Sequence, residues 1–281
     1  MKRQCFFKNV TGTQVRVKIT DIGARSITGN DPPPYVKLLQ AGDADIVGFE
    51  PDAQALAALN QAKGPHEIYL PYAVADGQQH TLYTCVAPGM TSLLKPNPAV
   101  LNLFHSFPAW GSVLSTEEID TVRLDDVDET VGTDMIKIDI QGGELMAFHH
   151  AQNRLKDVLI IHTEVEFLQM YIDQPLFSEV EIFLRSRGFV FHRFFPLISR
   201  TFVPVSKNGN IYEGISQLCW ADAVFVRDMT CLNMINDEQL LKLAMILHEC
   251  YESADLAHYY LLEFDRRNGT ETAHRYLSSL G

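Results

Sequence analysis

Apolar positions in this chain fall into short runs that end at turn residues. Positions 14–22 alternate polar and apolar and stop at Gly23. Further runs cover 45–50, 67–75, 135–140, 158–167, 189–195 and 223–226. Period-two or continuously apolar runs of this length, bounded by turn residues, read as strands buried on both faces. Helical patterns fill the gaps at 51–63, 143–155 and 178–187, the last stopping at Gly188 as a C′ glycine. Strand and helix alternate in that order, which predicts a doubly wound α/β fold around a mostly parallel sheet.

Two stretches break the rhythm. Residues 78–117 open with a hairpin-like run (80–86) and continue through a segment rich in proline and aromatics with no clean period. An irregular insertion of that length is usually functional, and its apolar content argues against disorder. Residues 229–281 are helical by pattern: Leu240, Leu241, Ala244, Leu247 and Tyr251 recur over 237–251. Ser253 is placed to cap a second helix that ends near Gly269, and Thr270 a third. The expected organisation is a domain over 1–228, with 78–117 as an insertion or lid, and a C-terminal helical appendage at 229–281. The appendage packs on the core or forms a homodimer interface.

Composition removes several classes. With 281 residues, 46% of them hydrophobic, the chain can bury a full core. No segment nears the roughly 20 apolar residues of a membrane-spanning helix, and the N-terminus lacks the apolar stretch of a signal peptide. Five scattered cysteines without a Cys-x-x-Cys pair fit reduced thiols in a cytoplasmic protein. A net charge of −12 without a Lys/Arg cluster argues against nucleic acid as partner.

The candidate chemistry lies at the ends of the expected strands, where an open α/β sheet binds ligands. Asp21 and Gly23 end the first, and glycine there allows close backbone approach. A dinucleotide fingerprint would need more glycines than Gly23 and the distant Gly29, with Asp31-Pro-Pro-Pro34 following, so a nicotinamide dehydrogenase fits poorly. Glu50 ends the second strand, where an acid can accept from both ribose hydroxyls or simply favour a helix N-terminus. Asp76 could accept from an adenine amino group or serve the turn before Gly77. Lys137 and Asp139 place charge inside a strand that should be buried, which is costly unless the charge is paired or used. Gln141 and Glu144 follow at the same end. Glu164 and Glu166 share one face of the next strand and could orient a substrate or hold a metal. In the insertion, Met90, Thr91, Ser92, His105 and Trp110 either line an acceptor pocket or belong to a satellite apolar cluster.

The run DIGA…GFEPD…AVADG…IKIDIQGGE…TEVEF…QPLF resembles the FkbM family of methyltransferases over roughly residues 15–195. The resemblance implies a Rossmann-like class I methyltransferase fold, S-adenosyl-L-methionine as methyl donor, and O-methylation of a sugar, glycan or polyketide-like small molecule. It implies that Asp21 and Gly23 line the methionine end of the donor. Glu50 would bind its ribose, Asp76 would sit near its adenine, and Asp139 nearest the transferred methyl. Asp139, Glu164 and His105 are the candidate bases, Asp139 first. Met90, Thr91, Ser92, Trp110, Gln141 and Glu144 are the acceptor candidates, and no metal is assigned. A non-catalytic nucleoside-binding protein or scaffold on the same fold is the rival reading.

Overall fold

The computed structural model describes residues 6–25 and 32–280; Gly29 and Asp31, used above against a dinucleotide fingerprint, lie outside the described residues. Among the described residues ten strands form: β1 (Val17–Ile22), β2 (Ala44–Phe49), β3 (Glu67–Leu70), β4 (Ala73–Val74), β5 (Gln79–Cys85), β6 (Val113–Val122), β7 (Met135–Ile138), β8 (Ile160–Glu166), β9 (Phe189–Arg200) and β10 (Gln217–Arg227). The α-helices among the described residues are α1 (Phe6–Thr11), α2 (Val36–Ala41), α3 (Ala53–Ala62), α4 (Pro98–Leu101), α5 (Phe107–Trp110), α6 (Glu144–His149), α7 (Arg154–Asp157), α8 (Phe177–Ser186), α9 (Asp237–Tyr251), α10 (Ala254–Asn268) and α11 (Thr272–Ser279).

Seven strands make one sheet in the order β3-β2-β1-β7-β8-β10-β9. β3, β2, β1, β7 and β8 are parallel, and β10 runs antiparallel to both β8 and β9. The order reverses between β1 and β7, so the switch point, where such sheets bind ligands, lies beyond Ile22 and Ile138. Alternation then sorts the side chains. Val17, Ile19, Met135, Ile160, Val224 and Val226 face the C-terminal helices and meet Leu243, Ala244, Leu247 and Tyr260. Ile22, Val47, Phe49, Ile138, Ile161 and Phe225 face the other way, onto Phe148, Val180 and Leu184 of α6 and α8. The helices at 229–281 thus share one apolar core with the sheet.

Local departures from the expected pattern have local causes. The single run at 67–75 divides at Pro71, which cannot donate to a ladder, and the second part, β4, joins a separate sheet of order β4-β6-β5. β5 therefore pairs with the distant β6 rather than closing a tight hairpin. The helix expected over 143–155 breaks into α6 and α7, because the Asp125 carboxylate takes the amides of Asn153 and Arg154 and starts a new helix there. Ser253 precedes α10, but its hydroxyl bonds His192 and caps nothing. Thr270 does not cap α11 either; the Asp265 carboxylate accepts from the amides of Thr272 and Ala273.

The insertion packs its own cluster, Leu101, Phe104 and Phe107, against Met170, Tyr171 and Cys219 just past the carboxyl end of β8. That contact sets its wall beside the switch point.

Candidate active site

The sheet face that meets the C-terminal helices turns from apolar to ionic at its carboxyl end. Asp21, Lys137 and His162 are consecutive register partners across β1, β7 and β8. The Lys137 ammonium lies 3.2 Å from Asp21 Oδ1 and donates to the Gly23 carbonyl at 3.3 Å. Tyr35 donates to the other Asp21 oxygen. Burial alone would lower the Lys137 pKa, but the Asp21, Asp139 and Asp222 carboxylates outweigh it and raise the value. His162 is held between Asp222 Oδ2 at 3.1 Å and the Tyr251 hydroxyl at 3.2 Å. Each interior charge in this row therefore has a partner, as low polarity requires.

One step further along the strands lies a group of acids. Asp139 follows β7 directly, and Glu164 sits on the neighbouring β8. Carboxylate oxygens of Asp139, Glu144 and Glu164 lie within 4.8 Å of one another. Gln141 joins two of them. Its Nε2 donates to Asp139 Oδ1 at 2.8 Å and to Glu164 Oε2 at 2.6 Å, while its Oε1 accepts from the Tyr171 hydroxyl at 3.0 Å. To do so Gln141 adopts φ 60°, a strained value for a residue with a Cβ. Ser92 holds that turn by donating to the Gln141 carbonyl at 2.7 Å. Burial, with Asp139 and Glu166 nearby, pushes the Glu164 carboxyl well above its usual range. Burial raises Glu144 to about 7, against the Ile140 amide that its carboxylate accepts at 2.8 Å. The Gln141 amide links Asp139 and Glu164 by hydrogen bonds.

Gly23 shows why the turn after β1 needs glycine. At φ +80° any Cβ would stand 2.1 Å from the Asp139 carbonyl oxygen. The close approach is to the neighbouring strand as well as to the crevice. Glu50, buried at the end of β2, accepts the Asp52 amide at 2.8 Å through Oε1, and burial raises its pKa. Asp21 and Glu50 thus stand at the ends of adjacent parallel strands beside the switch point. Asp21 Oδ1 is buried there and faces the Lys137 ammonium at 3.2 Å.

The other expected residues have partners of their own. Asp76 serves its turn: Oδ1 accepts the Gln78 amide at 2.9 Å and faces His80 Nε2 at 2.8 Å. It also lines a cavity of about 630 Å³ with Tyr72, Arg123 and Asp128. His105 is bound through Nε2 to the Val205 carbonyl at 2.9 Å, on the contact between the insertion and the β9–β10 loop, and none of its hydrogen bonds is to the acid cluster. Thr91 accepts the Cys85 amide, and Met90 packs under Gly111. Trp110 stacks on Tyr212 with ring centroids 5.9 Å apart. Sequence reasoning missed Tyr35, Tyr171 and Asp222. Asp222 carried a readable signal, a lone acid in the apolar run of β10; the two tyrosines carried none.

A parallel sheet reversing at β1/β7, with an antiparallel β10 between β8 and the edge strand β9, buried acids at the ends of β1 and β2 and an acid group after β7, defines a class I S-adenosylmethionine-dependent methyltransferase. The donor, when bound, supplies a methyl group already activated on a sulfonium. The chain belongs to the FkbM methyltransferase family: the model described as Methyltransferase FkbM domain matches residues 21–191. It is thus an enzyme using S-adenosyl-L-methionine, and the non-catalytic alternative is set aside. No curated protein matches the chain. Among solved structures it is similar to precorrin-6y C5,15-methyltransferase from Geobacter metallireducens, at 11% identity over 79% of this chain and 85% of that one, TM-score 0.37. It is also similar to magnesium protoporphyrin IX methyltransferase from Synechocystis with bound donor, at 10% identity, 79% and 77% coverage and TM-score 0.38. No helix among the described residues is long and apolar enough to cross a membrane.

Proposed function

We propose that the enzyme O-methylates a hydroxyl of a sugar, glycan or polyketide-like small molecule, with Asp139 as the general base. The observation that carries this reading is the Gln141 bridge, which fixes Asp139 beside Glu164 at the switch point. The hydroxyl oxygen attacks the methyl carbon, the carbon–sulfur bond breaks, and the hydroxyl proton passes to the Asp139 carboxylate. Burial and the neighbouring carboxylates raise the Glu164 pKa, which lessens the negative charge that faces Asp139. Asp21, Gly23 and Glu50 hold and align the donor, and alignment supplies much of the rate. Gln141, Glu144 and Ser92 shape the acceptor side by holding the turn after β7. In this reading the displacement involves no metal step, and Gln141 links the Asp139 and Glu164 carboxylates.

The test is transfer of labelled methyl to panels of sugars and polyketide-like alcohols. Asp139→Asn is expected to slow turnover by about 10²–10⁴-fold with donor affinity retained. Turnover within a few-fold of wild type would remove Asp139 as base. Chelator treatment is expected to leave the wild-type rate unchanged; loss of activity restored by a divalent ion would contradict the Gln141 bridge as the link.

A further inference from the structure

We infer that Arg200 is the receptor for an anionic group, a carboxylate or phosphate monoester, carried by the methyl acceptor. The inference rests on the O-methyltransferase reading above and narrows its acceptor. Arg200 ends β9, and its guanidinium lies 4.7 Å above the Trp220 ring. Trp220 is the register partner of Glu166 on β8, two residues beyond Glu164. Rings continue outward from it: Phe107 is 6.0 Å from Trp220, Trp110 is 5.5 Å from Phe107, and Tyr212 closes the row on Trp110. An aromatic wall thus runs from the acid cluster to the β9–β10 loop.

Arg200 is half-buried on this wall, yet forms no ion pair among the described residues. Its one side-chain hydrogen bond goes to the Ser199 carbonyl at 3.0 Å. A guanidinium carries five N–H donors in a fixed fork, so most of the fork has no protein acceptor. Nε is buried without a partner, and so is the neighbouring Thr201 hydroxyl, on a residue only 4% exposed. Other interior cations have protein acceptors: Lys137 pairs with Asp21 and Lys242 with Asp134, and the Arg227 fork donates to the Val158, Arg187 and Leu155 carbonyls. Burial lowers the Arg200 pKa, opposed by Cys219 and Tyr212 and by no carboxylate. A desolvated, unpaired guanidinium is unfavourable in the free protein and is recovered when a carboxylate or phosphate takes the fork. The flat face of Trp220 fixes the guanidinium plane, which favours such two-point recognition. In a chain of net charge −12, this is a local attraction for a small anion.

The chain has two tryptophans, Trp110 and Trp220, and both belong to this wall, so intrinsic fluorescence reports on the site directly. The experiment titrates the full chain, with donor product present, with glucuronate, glucose 1-phosphate and glucose. Either anionic probe is expected to change the emission saturably, with glucose at least about tenfold weaker. Arg200→Gln is expected to weaken the anionic probe by about tenfold or more, on the order of 1.4 kcal/mol. Arg200→Lys should recover part of that loss. The arm that responds tells carboxylate from phosphate. Equal binding of glucose, unchanged affinity in Arg200→Gln, or no response to either anion up to about 20 mM, where millimolar sites register, would each overturn the inference. Calorimetry with S-adenosylmethionine on the same samples confirms that the variants are folded. Failure of donor binding in wild type would sink the transferase reading itself, and is a separate result from failure of the anion titration.

Discussion

Gln141 and Gly23 show how much of this site depends on backbone that side-chain patterns do not announce. The family motif around 137–144 marked Asp139 as the centre, and the structure keeps it at the switch point. That Gln141 would turn to φ 60° and bridge two carboxylates was not legible, because residues at 141 and 164 meet only once β7 and β8 are paired. Substituting Gly23→Ala is expected to cost at least about 1–3 kcal/mol, since the added methyl meets the Asp139 carbonyl at an already positive φ. Chemical denaturation checks this; a neutral result would mean the turn can reorganise. The raised carboxyls make a second residue-scale claim. Glu144, ordinarily near 4.5, titrates at about 7 in the fold. The folded state then binds more protons than the unfolded chain between those values. Its stability contribution is full below 4.5 and is lost as pH rises through 7. Glu144→Gln should flatten that slope and stabilise the protein at pH 8 by on the order of 1–3 kcal/mol. Urea midpoints across pH measure it, and an unchanged slope would contradict it.

At the scale of elements, the positions of the sheet strands were readable because buried parallel strands leave continuous apolar runs, and each of the seven expected runs contains strand. The failures lie where one side chain from a distant element decides an end. Asp125 splits the helix after Gly143, and Asp265 takes the cap expected of Thr270. His105 was weighed as a base against a packing role in its aromatic stretch, and a carbonyl one hundred residues away holds it on the loop contact. The C-terminal helices carry the clearest element-scale prediction. Leu243, Ala244 and Leu247 are fully buried against β1, β7 and β10. Leu243→Ala is expected to destabilise by about 2–5 kcal/mol. Truncation after Asp228 should yield a chain without near-ultraviolet circular dichroism or a cooperative melt. A truncated chain that melts cooperatively and binds donor would show 229–281 to be separable after all.

The whole molecule joins two surfaces at one crevice. The parallel sheet presents Asp21, Glu50 and Asp139 at the ends of β1, β2 and β7, and the insertion with the β9–β10 ribbon builds the aromatic wall alongside. The first was visible from strand-end acids in a pattern shared with a family. The second was not, since no period marks the insertion and the partners Trp110–Tyr212 and Phe104–Phe202 are nearly one hundred residues apart or more. The central claim is that this crevice binds S-adenosylmethionine with Glu50 as its ribose contact. Calorimetric titration with S-adenosylmethionine and with its demethylated product, in wild type and Glu50→Ala, tests it most directly. The account predicts saturable binding of both ligands to wild type, weakened by about tenfold or more, roughly 1.4 kcal/mol, in Glu50→Ala. Absence of binding by either ligand, or a Glu50→Ala variant that binds as tightly as wild type, would contradict it.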